Sequence, residues 1–241
     1  MTTRGEMGSR DGQSVANIER RLREEILTGG IPAGSVTSQA ALSERFEVGR
    51  TPLREALRLL EGEGLIVTAP NRRVRIADLS GADAEELYIM RIALETVSVA
   101  LTVPTLTSTD FAELDGYMAQ MDYFMRTRDG VGLREPHRAF HMRLVSAAGK
   151  RGLDEMAALF DHAERYRLAF GAGGDWDLRS AEHRAILDAA AAGDPRLAAT
   201  RLADHYAHTA RLIFTGLKED YEPARLTAAL ELLSQGPVST V

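Results

Sequence analysis

Cysteine is absent from the 241 residues. That excludes disulfides and thiolate metal sites, and it fits a cytoplasmic home. No apolar run approaches the roughly 18 residues of a bilayer-spanning helix, so no membrane partner is expected. Met1 to Gln13 have no apolar core and read as a disordered tail, not a signal peptide. There is no His-Glu-x-x-His pair and no evident serine or lysine nucleophile arrangement, so no enzyme is expected. Internal repeats are lacking too, as is any overall excess of positive charge, the net charge being −6.

That charge is unevenly spread. Residues 1–78 carry 12 Lys+Arg against 11 Asp+Glu, a balance of +1, and the remainder carries 17 against 24, or −7. Only the first third can face phosphates without strong repulsion. The punctuation of the chain follows the same division.

In the first third, Val15, Ile18, Leu22, Ile26 and Leu27 recur at helical spacing until the glycines and proline of 29–34 stop the helix. Ser38 caps a short helix holding Ala41, Leu42 and Phe46. After Glu47-Val48-Gly49, Thr51 reads as the N-cap of a further helix with Pro52 at its first position. That helix buries Leu53, Ala56, Leu57 and Leu60 and ends at Gly62 and Gly64. Leu65–Thr68 and Val74–Ile76 are the convincing strands, joined by the charged turn at 69–73. The expected fold is mainly α: a winged helix-turn-helix of three helices and a two-stranded wing, followed by an all-α antiparallel bundle. Bundle helices are expected near 81–102, 108–128, 131–147, 152–170, 178–192 and 195–215, with a weaker one near 222–234. The domain reading is a tail at 1–13, a DNA-binding domain at 14–78, a helical domain at 79–217, and a C-terminal helix and tail at 218–241.

Arg50, Arg54 and Arg58 recur every four residues, opposite the apolar face of their helix. In helix-turn-helix domains the N-terminal part of the second helix meets base edges, and arginine pairs bidentately with guanine. Arg50 and Arg54 are therefore candidate base readers, Thr51 a phosphate contact, and Arg72 and Arg73 wing contacts to backbone or minor groove. The bland alternative is a solvated arginine face, with Glu55 or Glu61 pairing to Arg58.

All six histidines follow residue 136. His137 and His141 are i,i+4 on one helix, His183 starts a later one, and His205 lies midway along the next. If these helices converge, four imidazoles could bind a divalent transition metal, most plausibly zinc, with a position left for a ligand. Otherwise they are partly exposed or core-satisfied. Arg91 has two readings as well: a salt bridge to Glu95 at i,i+4, or a bidentate grip on an effector carboxylate. Arg165, Tyr166 and Arg167 share a helix, and only one face of it can point inward.

Residues 15–76 resemble the DNA-binding domain of GntR-family bacterial transcription regulators. The resemblance rests on Val48-Gly49-Arg50-Thr51-Pro52-Leu53-Arg54-Glu55-Ala56-Leu57 followed by Glu63-Gly64-Leu65. It implies DNA contacts at Arg50, Thr51 and Arg54, with Gly49 where serine is usual and Arg73 where the wing usually has glycine. Residues 81–215 resemble the FCD ligand-binding domain of the FadR subfamily, through Arg91-Ile92-Ala93-Leu94-Glu95, Phe140-His141, Glu182-His183-Arg184-Ala185-Ile186-Leu187 and His205. Many FCD domains hold a metal with three histidines and an aspartate or asparagine. Here the three correspond to His141, His183 and His205, and His137 occupies the aspartate position. His162 and His208 have no role in that pattern and read as surface residues.

The expected protein is a regulator, a repressor in preference to an activator, bound to double-stranded operator DNA as a homodimer, since one winged helix contacts too few bases for useful specificity, and responsive to a small carboxylate seated at a metal. The rivals are a metal-dependent hydrolase on the histidine bundle and an architectural DNA binder without an effector.

Overall fold

The computed structural model describes residues 7–69, 71–170, 176–217 and 221–234. The chain divides into two compact units, Met1–Leu79 and Ser80–Val241.

In the first unit, α1 (Met7–Leu27) precedes β1 (Val36–Ser38), α2 (Gln39–Phe46), α3 (Arg50–Gly62), β2 (Ile66–Ala69) and β3 (Arg73–Ile76). Helix α1 reaches back to Met7, into the segment expected to be a disordered tail. A nucleated helix gains one hydrogen bond per added residue, which favours such extension. Residues 1–6 of that tail lie outside the described residues. Ile18, Leu22 and Ile26 of α1 meet Leu53, Leu57 and Leu60 of α3 in one core that also takes in Val74 and Ile76.

Two expectations are corrected here. The wing hairpin, with Ile66 opposite Ile76, gains a third strand, because β1 pairs antiparallel with β3 and puts Val36 opposite Arg75. And α3 starts earlier than read: its N-cap is Gly49, with no side-chain cap bond, which leaves Thr51 inside the first turn. The Gly49 carbonyl already accepts from Leu53 N–H at 3.2 Å. Ser38 does cap α2, accepting from Ala41 N–H at 3.1 Å.

The second unit contains α4 (Gly81–Thr102), α5 (Ser108–Arg126), α6 (Gly130–Leu144), α7 (Gly149–Phe170), α8 (Trp176–Ala191), α9 (Pro195–Leu217) and α10 (Ala224–Ser234). Local chemistry sets several starts. Ser80 caps α4 through Asp83 N–H, and Thr107 and Asp110 form a reciprocal capping box on α5. Helix α4 is central, packing on α7 and α9, while α8 lies on α9 and α5 on α6.

By length and composition α4 is apolar enough to cross a membrane, nearer to that limit than the sequence reading allowed. Its position explains the composition. One face is core and includes the buried, paired charges Glu85, Arg91 and Glu95, while Met90, Leu94, Val97 and Leu101 are exposed along another. Glu85 also fastens α10: it accepts from Tyr221 Oη at 2.6 Å, Arg225 Nε at 2.8 Å and Leu226 N–H at 3.0 Å.

Gly81, at the start of α4, lies under the Tyr221 ring, and a methyl there would sit 2.5 Å from Tyr221 Cγ. Alanine ordinarily favours a helix over glycine by about 1 kcal/mol. Gly81→Ala is nonetheless expected to destabilise the protein, by roughly 1–3 kcal/mol, because the ring and its contact with Glu85 must move. Urea unfolding checks the sign; a gain in stability would mean that Tyr221 shifts at no cost.

Candidate DNA interface and candidate metal centre

The arginines of the first unit fall into two groups. Arg20, Arg21, Arg23, Arg45, Arg58 and Arg75 each have a hydrogen-bond partner: Asn17, the Phe46 carbonyl, Glu19 and Glu63, Glu25, Glu55 and Asp78 respectively. Among the described residues, Arg50, Arg54, Arg72 and Arg73 are exposed and have no such partner. Glu61, a possible mate for Arg58, instead accepts from Thr68 N–H at 2.8 Å and Thr68 Oγ1 at 2.5 Å.

The nearly neutral unit therefore concentrates its uncompensated charge on the start of α3 and the wing tip. With Gly49 offering no capping oxygen, the first-turn N–H groups of α3 stay open, which suits a phosphate. Asn71 and Arg72 both adopt left-handed backbone at the tip, with φ of 61° and 56°. The glycine-like conformation thus falls on Arg72, and Arg73 begins β3. The Arg72 carbonyl is tied to Gln39 N–H at 3.1 Å, fixing the tip against α2.

In the second unit, α6 presents His137 and His141, α8 presents His183 and α9 presents His205. One ring nitrogen from each lies within 4.8 Å of the others. The partners of the outer nitrogens fix three tautomers. His183 Nδ1 is 2.8 Å from the Arg179 carbonyl and His205 Nδ1 is 2.9 Å from Glu182 Oε2, so both Nδ1 atoms must donate. His141 Nδ1 is 3.0 Å from Tyr206 Oη, and that hydroxyl already gives its proton to Glu95 Oε2. His141 must therefore donate to it.

All three rings then turn an unprotonated Nε2 inward, and Nε2 of His141 and Nε2 of His183 are 3.3 Å apart. Lone pairs so close repel one another unless a cation lies between them. The outer partners orient the rings as second-shell groups do in metal sites. Burial, reinforced by the neighbouring imidazoles and arginines, holds His137, His141 and His183 well below the usual histidine range. Burial lowers His205 too, against the opposing pull of Glu182. Neutral imidazole is the form that ligates a metal.

His137 differs from the other three. Its Nδ1 is buried without a hydrogen bond, 3.8 Å from Glu164 Oε2. Glu164 is itself held by Arg167 Nε at 2.7 Å. So a carboxylate does stand beside the substituted position, supplied across the bundle by α7.

Arg91 satisfies the salt-bridge reading. Its Nε is 2.7 Å from Glu95 Oε1 and its Nη2 is 2.7 Å from Tyr206 Oη. It also lines, with the four histidines, Tyr88, Glu164, Arg167, Arg179, Tyr206 and Thr209, a cavity of about 20 Å³. Of the three α7 residues in question Arg167 alone lines it, since Tyr166 Oη turns to Asp83 Oδ2 at 2.5 Å. His208 is not a plain surface residue: its Nδ1 lies 2.5 Å from Glu182 Oε1, so one carboxylate braces two histidines of α9. Glu164, Arg179 and Tyr206 escaped the sequence reading. The only available signal was Glu182 beside His183, which marked the helix and not the partner.

A winged helix with bare arginines on α3, and a helical bundle enclosing a polar pocket, define a DNA-binding transcription regulator with an appended C-terminal domain. The chain belongs to the GntR family of bacterial regulatory proteins, and to those that carry an FCD domain: the gntR-family domain matches residues 14–76 and the FCD domain residues 86–208. It is 30% identical over 192 residues to an uncharacterized HTH-type transcriptional regulator in an unstable DNA locus of Streptomyces ambofaciens, covering 78% of this chain and 80% of that one. It is 28% identical over 156 residues to the HTH-type transcriptional repressor GlaR of Escherichia coli, covering 62% and 70%. The fold matches the solved structure of E. coli McbR/YncC with a TM-score of 0.76 at 19% identity, over 85% of this chain and 99% of that one. These relatives are regulators, and the chain is a regulator and not an enzyme.

The depressed histidines set a pH dependence. The unfolded chain protonates these imidazoles as pH falls below 6.5, and the folded chain resists until far lower. Stability is thus fully present above pH 6.5 and is lost as pH falls through that window, by up to about 1.4 kcal/mol per pH unit for each histidine. Urea unfolding in chelator from about pH 7.5 to 5 checks it. Stability that stays flat or rises on acidification would contradict the neutral cluster.

Proposed function

We propose that this protein is a cytoplasmic, homodimeric repressor whose hold on operator DNA is modulated by a small organic acid bound in its helical domain beside a divalent metal, zinc being the best match to imidazole donors. Residues 14–78 read the operator and residues 79–217 sense and dimerise. The observation that carries the sensing half is the convergence of four neutral imidazoles, three of them with inward lone pairs fixed by their outer partners. His137, His141, His183 and His205 would hold the metal, which when bound supplies positive charge and an open position to an anion. FCD domains often bind metals, which supports the same reading. Arg91 would add a cationic wall, with its charge already balanced by Glu95.

The observation that carries DNA reading is the set of unpaired, exposed arginines on an otherwise neutralised unit. Arg50 and Arg54 would meet base edges, Thr51 a phosphate through its hydroxyl, and Arg72 and Arg73 the backbone or minor groove. Dimerisation is supported by Met90, Leu94, Val97 and Leu101, exposed on α4 at steps of four, three and four residues, the spacing of a helix-pairing seam. Two half-sites multiply a discrimination that one wing and one helix cannot supply. Repression is supported by the printed role of the relative GlaR.

Arg50→Ala and Arg54→Ala should each weaken cognate operator binding by roughly 1–3 kcal/mol and relax specificity at one base position, read by fluorescence anisotropy. Unchanged affinity in both variants would overturn the base-reader assignment.

Native mass spectrometry of the purified protein is expected to give a dimer carrying one divalent ion per chain, with operator affinity altered by chelation or by added carboxylates. Indifference to chelator and to every carboxylate would remove the sensing half of the proposal.

A further inference from the structure

Arg179 sits on α8 one turn before His183 and serves the cluster twice. Its carbonyl takes the Nδ1–H of His183, while its side chain, 6% exposed, lines the cavity. Nε and Nη2 of that side chain are both buried and have no hydrogen-bond partner. These two nitrogens form one edge of the guanidinium, the edge whose parallel N–H bonds match the two oxygens of a carboxylate.

The other cavity arginines are already served, Arg91 by Glu95 and Arg167 by Glu164. Glu182 and Glu164 act on Arg179 only through space, and neither bonds its Nε/Nη2 edge. A water molecule could satisfy the N–H groups but not the charge, and arginine does not give up its proton in a protein. Burial first and Arg167 second lower the Arg179 pKa, against the opposing pull of Tyr88, Glu182 and Glu164.

Building on the metal-and-effector reading above, we infer that Arg179 binds a second anionic group of the effector. The ligand is then a short dicarboxylate, one end facing the histidine cluster and the other lying on the Nε/Nη2 edge of Arg179. Arg179 and His183 are one helical turn apart, about 6 Å at the backbone, which sets the span. The lining side chains come from α4, α6, α7, α8 and α9, so a ligand held between the histidines and Arg179 touches several helices at once.

The test is calorimetric titration of the full-length, zinc-loaded protein with malonate and succinate, against acetate and propionate, for wild type and Arg179→Gln. Wild type is expected to prefer one of the dicarboxylates at least tenfold over either monocarboxylate. Arg179→Gln is expected to lose that preference while retaining its metal by native mass spectrometry. Arg179→Lys keeps the charge without the two-pronged edge and should retain a reduced preference, which decides the matter if the glutamine variant does not fold. Equal preference in wild type and Arg179→Gln would overturn the inference, as would a wild type with no preference for a dicarboxylate. A wild type that takes up no zinc would refute the metal reading instead, and Arg179 would then be judged by the same titrations on the metal-free protein.

Discussion

The hydroxyl of Tyr206 has one proton to give. It gives that proton to Glu95, and so must accept from both Arg91 and His141. From this one constraint follow the tautomer of His141, the direction of its free lone pair, and the commitment of Arg91 to a buried partner. Glu95 and Arg91 are both nearly inaccessible to solvent, and either alone would be an uncompensated charge in the core. The tyrosine joins that pair to the histidines, so the polar interior of the bundle behaves as one connected network. Glu182 and the Arg179 carbonyl do for His205 and His183 what Tyr206 does for His141.

The first unit works by the opposite economy. It leaves charges unpaired on the outside, whereas the bundle pairs nearly all of them inside. Arg58 and Arg75 lie on the same helix and strand as Arg54 and Arg73, yet each has an acid within reach three residues away, Glu55 and Asp78. A sequence count cannot separate arginines that neutralise carboxylates from arginines left bare. The structure separates them by contact, and the bare ones gather at the start of α3 and at the wing tip.

Legibility followed the range of the interaction. The helices were readable because their apolar period, and a capping residue such as Ser38, act within four positions of themselves. The hairpin of β2 and β3 was readable from its turn. Strand β1 was not, since three residues carry no visible alternation and its partner β3 lies 37 residues on. The α3 cap was misplaced because threonine before proline is a good local signal, and the unremarkable Gly49 does the capping with backbone alone.

In the bundle, the four histidines could be proposed to converge from the resemblance and their spacing. Nothing along the chain says that Glu164 of α7 stands beside His137 of α6, or that Arg179 lacks a carboxylate. Both facts belong to pairs of helices, and a single helix does not contain them.

Glu182 has a mechanical consequence. It sits next to His183 on α8 and grips both His205 and His208 on α9. Any rotation or slide of α8 against α9 therefore carries the His183 ring and the brace of His205 together. The two helices are keyed to one another like meshed gears, so the cluster cannot loosen at one corner alone. A ligand that pushes on α8 at His183 therefore also acts, through Glu182, on α9 at His205 and His208.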